Sequence, residues 1–251
     1  MKDLVLVKLG GSVITDKSKP YTARKDVIQK LAKKLKKLKN KNTDLIIGHG
    51  SGSFAHIPAS KYQIQKGLIN SKSIWGLTLT ADAAIQINRI VISEMLKLKI
   101  KCLSFAPLSF NYGKRVLTDH LKKAMEIGII PVIYGDVIMN ERQGFEIYSG
   151  EKTLDILAIK LSKLYKKIKI IYYTDTNGVY DDKGKTISII TPKNFKEIKK
   201  YLQGSGNTDV TGGMIHKVEE SLNLVQKLNA EVYILNGFKI KNKGTKISKF
   251  V

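Results

Sequence analysis

Asp44-Leu45-Ile46-Ile47-Gly48-His49-Gly50-Ser51-Gly52-Ser53-Phe54-Ala55-His56 is the stretch that organises this chain. Its first four residues have the pattern of a short buried strand, so the glycines fall where a strand turns into a helix. Glycine at such a junction permits unusual backbone angles and close approach of a ligand, while the first free N–H groups of the helix face an anion. The stretch is therefore a candidate phosphate seat. His56, one helical turn past the last glycine, adds a side-chain donor to the same anion.

The same junction recurs along the chain. Leu4 to Leu9 forms a strand pattern and runs straight into Gly10-Gly11-Ser12. Lys8, near the end of that strand, is costly to bury unless its ammonium has an anionic partner. Thr15 to Pro20 is a polar loop whose Lys17 can fold back over the glycines. Helical spacing follows from Arg24 to Lys39 and again from Ser73 to Leu98, where Leu77, Ala81, Ala84, Ile85, Asn88, Val91, Ile92 and Met95 share one side. Lys101 to Phe105 and Ile129 to Tyr134 are strands, separated by a helix from Thr118, its N-cap, to Ile127. The second strand ends in Gly135-Asp136. Residues 137–140 and 145–148 form a hairpin, and Ser149-Gly150 then opens a helix from Glu151 to about Lys166.

Lys169 to Thr174 is another strand, leading into Asp175-Thr176-Asn177-Gly178-Val179-Tyr180. Thr191-Pro192 starts a short helix through Leu202, with Pro192 in the first position. A loop at 204–207 delivers Asp209-Val210-Thr211-Gly212-Gly213-Met214, a further glycine-rich helix entry with Lys217 one turn inside. Glu231 to Asn236 is a strand, and a lysine-rich tail follows. Strand and helix alternating end to end predict an α/β fold: a three-layer αβα sandwich with a mainly parallel sheet and ligands at the carboxyl ends of the strands. Four glycine junctions then share one edge. No linker divides the 251 residues, which are read as one domain.

Composition narrows the classes. The chain is 43% hydrophobic, enough to bury a core, and no apolar run approaches the roughly 20 residues that cross a bilayer. The start at Met1 is already strand-like, without a signal-peptide profile, so a cytoplasmic protein with no membrane insertion is expected. Cys102, the single cysteine, excludes an internal disulfide and a cysteine-cluster metal site and is read as a core residue. The formal net charge of +23 draws polyanions. Yet the lysines are scattered over the helices and arginine occurs only at 24, 89, 115 and 142, without the arginine forks and interleaved aromatics of nucleic-acid sites. No specific nucleic-acid partner is expected.

There is neither a Gly-x-x-x-x-Gly-Lys-Ser/Thr loop nor a Gly-x-Gly-x-x-Gly with its downstream acid. What remains is a set of phosphate-friendly loops with lysines beside them, an inventory suited to phosphoryl transfer between two bound anions. No metal-ligating cluster is identified.

Lys8-Leu9-Gly10-Gly11-Ser12, the glycines at 48–52, Thr174 to Tyr180, and Asp209 to Met214 with Lys217 together resemble, in order and over nearly the whole chain, the amino acid kinase superfamily. Within it, Ser53-Phe54-Ala55-His56, Pro131 to Asp136 and Ser149-Gly150 resemble the isopentenyl phosphate kinase family. The resemblance implies ATP-dependent conversion of isopentenyl phosphate to isopentenyl diphosphate in mevalonate-type isoprenoid biosynthesis, with Mg2+ as cofactor and a homodimer. It implies catalytic roles for Lys8, Lys17 and His56, with Lys17 the transition-state contact. Gly50, Ser51, Ala55, His56 and Gly150 would hold the acceptor, a prenyl monophosphate, in a part spanning about 1–165. Lys8, Gly10, Gly11, Gly52, Asp175, Gly212 and Lys217 would serve ATP, with the nucleotide part spanning about 166–251.

A phosphate monoester, whose second pKa is near 6, is already largely dianionic at neutral pH, so the acceptor needs no general base and His56 is read as a donor. Ser51 and Ala55 stand where the family pattern has glycine. Glu151-Lys152 replaces a pair of aspartates, which leaves Glu151 or Asp155, one turn on, as the acid that organises the cations. Phe54, Ile74, Trp75, Leu77 and Ile85 are candidates for an apolar slot. A fosfomycin-type phosphonate kinase and an inactive nucleotide-binding regulator are the alternatives.

Overall fold

The computed structural model describes residues 1–112, 115–204, 213–239 and 243–250. Strand β1 (Asp3–Leu9) passes through Gly10 into a single-turn helix α1 (Gly11–Ile14), followed by α2 (Lys25–Lys36), β2 (Thr43–His49), α3 (His56–Lys61) and α4 (Ser71–Lys97). Next come β3 (Cys102–Phe105), α5 (Pro107–Phe110), β4 (Asn111–Tyr112), β5 (Arg115–Val116), α6 (Asp119–Glu126) and β6 (Ile130–Tyr134). The hairpin β7 (Asp136–Asn140) and β8 (Gly144–Tyr148) leads to α7 (Gly150–Leu161) and β9 (Ile168–Thr174). β10 (Ile189–Ile190), α8 (Phe195–Gly204), α9 (Gly213–Lys227), β11 (Ala230–Asn236) and β12 (Thr245–Ile247) complete the described chain.

Eight strands form one sheet in the order β10-β12-β11-β9-β1-β2-β6-β3. The six from β11 to β3 are mutually parallel; β12 runs antiparallel to β11 and carries β10 parallel to itself. Strand β1 lies at the centre, and its alternation supplies both faces. Val5, Val7 and Leu9 pack with Ile28, Leu31, Ala84 and Val91 of α2 and α4. Leu4 and Leu6 pack on the other side with Leu154, Leu157, Val218 and Val225 of α7 and α9. This is the expected three-layer αβα sandwich, and burial on both faces explains why β1 reads as a nearly continuous apolar run.

Several local expectations change. Thr118 occupies the N-cap position of α6, but its side chain makes no capping hydrogen bond. Helix α8 starts at Phe195, three residues past Pro192, because the Asn194 side chain accepts the Thr191 N–H at 2.8 Å and holds the preceding turn. The lysine-rich tail contains β12. Ile85 lies outside the buried stripe of α4, 51% exposed, and Cys102 is half-buried against the core at the sheet edge, where burial pushes its thiol up to about 11. Among the described residues no helix is long and apolar enough to cross a membrane.

Candidate active site

The loops after β1 and β2 and the turn before α7 meet backbone against backbone. A Cβ on Gly11 would lie 2.7 Å from the Gly52 nitrogen, and one on Gly150 would lie 2.8 Å from the His49 carbonyl oxygen. Only glycine permits this approach. Gly52 has φ +50° besides. Thr15 locks the first contact, donating its hydroxyl to the Gly11 carbonyl at 2.7 Å and accepting the Ser53 N–H at 3.0 Å. Ser51, where a glycine was expected, donates to the Gly135 carbonyl at 2.7 Å and so ties the β2 loop to the end of β6.

The helix after the glycine stretch is only six residues long and begins at His56 itself, so it supplies less N-terminus than the sequence suggests. The longer helix aimed at this place is α7. Ser149 caps it, its hydroxyl accepting the Lys152 N–H at 3.0 Å, which leaves Gly150 and Glu151 in the first turn against the glycine loops.

Cations converge here. Lys8, one residue before the end of β1, lies beside Gly50, and its ammonium meets Glu151 Oε1 at 2.8 Å. Lys217, in the second turn of α9, meets the same oxygen at 3.0 Å. The anionic partner that a buried Lys8 requires is therefore Glu151, which two lysines share. Burial pushes the Glu151 carboxyl up, but Lys8 and Lys217 outweigh it and hold the group at about 2. Burial lowers Lys8, as do the neighbouring positive charges of Lys217 and Lys17, against the opposing pull of Glu151.

Lys17 is exposed in the loop after α1, makes no ion pair among the described residues, and acts electrostatically on both Lys8 and His56. His56 is lowered by loss of solvent around its ring and then by Lys17 and Lys8, so the imidazole is neutral at pH 7 with one N–H to donate. Arg24 anchors the Lys17 loop: its guanidinium donates to the carbonyls of Ser12, at 2.7 Å, and Thr15, and pairs with Asp16 at 3.5 Å. Sequence reading passed over Arg24, since a helix N-terminus is an ordinary place for an exposed arginine.

On the far side, a Cβ on Gly10 would stand 2.6 Å from the Tyr173 carbonyl oxygen, which brings the β1 loop against the end of β9. Asp175, exposed just past β9, accepts through its carbonyl oxygen from Asn236 at 3.4 Å. Gly212 lies outside the described residues.

His49 is wholly buried, contacting Asn88 Oδ1 at 3.1 Å and the Gly50 carbonyl at 3.1 Å and stacking on Tyr134. Asn88 also donates to Ser104 at 2.6 Å, so both are satisfied structural groups. Ala55 directs its methyl into the main core, leaving only its backbone for a ligand. The apolar slot candidates scatter: Phe54 is in the main core, while Ile74 and Trp75, like Ile85, are exposed. Leu77 alone joins a separate cluster with Ala59, Ile64, Val137 and Phe145, between α3, α4 and the β7–β8 hairpin.

The amino acid kinase family profile matches residues 3–236. The isopentenyl phosphate kinase of Methanocaldococcus jannaschii is 34% identical over 95% of this chain and 93% of that protein. The isopentenyl phosphate kinase of Thermoplasma acidophilum is 30% identical over 93% and 92%, respectively. An X-ray structure of isopentenyl phosphate kinase superimposes with a TM-score of 0.79 at 26% identity, covering 98% of this chain and all of the other. With the family profile spanning most of its length and relatives 30–34% identical over more than nine-tenths of it, the chain belongs to the amino acid kinase family.

Proposed function

We propose that this protein transfers the γ-phosphoryl group of ATP to isopentenyl phosphate, giving isopentenyl diphosphate and ADP, the chemistry of its isopentenyl phosphate kinase relatives. The observation that carries the reading is the sharing of Glu151 by Lys8 and Lys217 at the point where the glycine loops touch. In the reaction an acceptor phosphate oxygen forms a bond to the γ-phosphorus, and the bond from that phosphorus to the bridging oxygen of ADP breaks. The acceptor arrives as a dianion, so no proton has to be removed. The protein's work is positioning and charge neutralisation.

Gly50, Ser51, the Ala55 backbone, His56 and Gly150 hold the acceptor phosphate, with His56 as donor. Gly10, Gly11, Gly52, Asp175, Gly212 and Lys217 serve the nucleotide, and Lys8 and Lys17 stabilise the group in flight. The acceptor part is residues 1–165 and the nucleotide part 166–251. The cluster around Leu77, Val137 and Phe145, beside the helix that His56 starts, suits the short hydrocarbon tail. Among the described residues no three acidic, histidine or cysteine side chains gather to hold a metal, so Mg2+ enters this proposal as an ion carried by the nucleotide phosphates.

An ATP-coupled assay over isopentenyl phosphate, dimethylallyl phosphate, fosfomycin and UMP tests the reading. Isopentenyl phosphate should give the highest kcat/KM. In the same assay Lys17→Ala should lower kcat about a hundredfold or more with KM for ATP nearly unchanged, and His56→Ala should act on the acceptor alone. Preference for fosfomycin would move the assignment to a phosphonate kinase, and transfer to none of the four would refute it.

A further inference from the structure

Next to the Lys8–Glu151–Lys217 junction lies a second acid that the reaction as described does not use. Asp155 is four residues past Glu151 on the same face of α7, half-buried. Its Oδ1 accepts the Tyr172 hydroxyl at 2.5 Å. Tyr172 is 2% exposed and stands opposite Lys8 in the β1–β9 register. The Lys217 ammonium sits 5.9 Å above the Tyr172 ring. The Tyr172 ring thus lies within cation–π range of the nucleotide-side cation, and its hydroxyl is fixed by Asp155.

We propose that Asp155, acting through the Tyr172 phenol, is a positioning residue for Lys217, and that its ionisation weakens the hold of the site on the nucleotide phosphates. The inference rests on the assignment of Lys217 to the nucleotide. Lys217 lies over the ring while Glu151 holds it together with Lys8, so the ring fixes the place from which its ammonium reaches toward a phosphate. An Asp155 that swung away would free the phenol and, with it, the platform under the ammonium. Charge works in the other direction. Asp155 faces Glu151 on its own helix, Glu220 on α9 and Tyr172 on β9, with Lys8 and Lys217 engaged by Glu151. Ionising Asp155 adds a negative charge next to Glu151, the carboxylate that already holds both cations away from a phosphate. Burial pushes Asp155 up to about 7, with Glu220 and Glu151 adding to the rise and the Tyr172 hydrogen bond opposing it, so the change falls in the working range.

The test is calorimetric binding of a non-hydrolysable ATP analogue to the wild type, Asp155→Asn and Tyr172→Phe at pH 6 and pH 8. Asp155→Asn keeps an oxygen for the phenol and removes the charge. It should bind the analogue as the wild type does at pH 6 and several-fold more tightly than the wild type at pH 8. Tyr172→Phe, which removes the phenol's hydrogen bond, should bind more weakly than the wild type at both pH values. In turnover, the affected quantity should be KM for ATP, with KM for the acceptor unchanged. A constant wild-type to Asp155→Asn affinity ratio across pH, or equal changes in both KM values, would overturn the inference. A wild type that binds no nucleotide would instead refute the kinase reading on which it depends.

Discussion

At Glu151 two ammonium groups share one carboxylate oxygen, an arrangement that is stable without ligands because the acid replaces the phosphates that the lysines would otherwise attract. The requirement for such an acid was legible in the sequence, from a lysine inside a strand buried on both faces. Which acid fills it was not, because Glu151 and Asp155 are one turn apart on a helix face and only the packing of α7 on β1 separates them. A carboxyl held at about 2, against an ordinary 4.5, contributes stability that is fully present above 4.5 and is lost as pH falls toward 2. Glu151→Gln should therefore cost roughly 2–3 kcal/mol at pH 7. In urea titrations the gap from the wild type should close as the pH approaches 2. A gap independent of pH would show that the ion pairs contribute nothing to folding.

Elements carried their signals unequally. The long strands and helices were visible because seven or more residues display a period, and Gly10, Gly50 and Gly150 marked the edge at which they end. β10 and β12 are two or three residues long and have no period to read; their places in the eight-stranded sheet, not the local sequence, make them strands. Helix α7 matters most at this scale, since it delivers both Gly150 and Glu151 from its first turn. Ser149→Ala removes its cap and should cost about 1 kcal/mol in denaturant unfolding. It should also raise KM for the acceptor, because Gly150 loses its anchor. Full stability with full acceptor affinity would mean that the cap does not position the site.

For the whole molecule, β3 and β10 are the end strands of the sheet among the described residues. Near the β3 end, Ile85 and Leu96, three turns apart on one side of α4, are 51% and 48% exposed. We propose that a second copy packs on this exposed side of α4, as the expected homodimer requires. Light scattering should give twice the chain mass for the wild type and the mass of one chain for Ile85→Lys; a wild type of single-chain mass would rule the dimer out. The fold class was readable end to end, but the slot for the acceptor's tail was not. Helical spacing cannot distinguish Leu77, which faces the hairpin, from Ile74 and Trp75, which face outward.

The central claim is that two phosphates line up between separated cations, and a structure of the protein with isopentenyl phosphate and a non-transferable ATP analogue tests it most directly. The account predicts an acceptor oxygen about 3–3.5 Å from the γ-phosphorus, His56 on the acceptor, Lys217 on the nucleotide, and Lys8 and Lys17 over the gap. Phosphates bound on separate surfaces, or a His56 ring turned away from the acceptor, would contradict it.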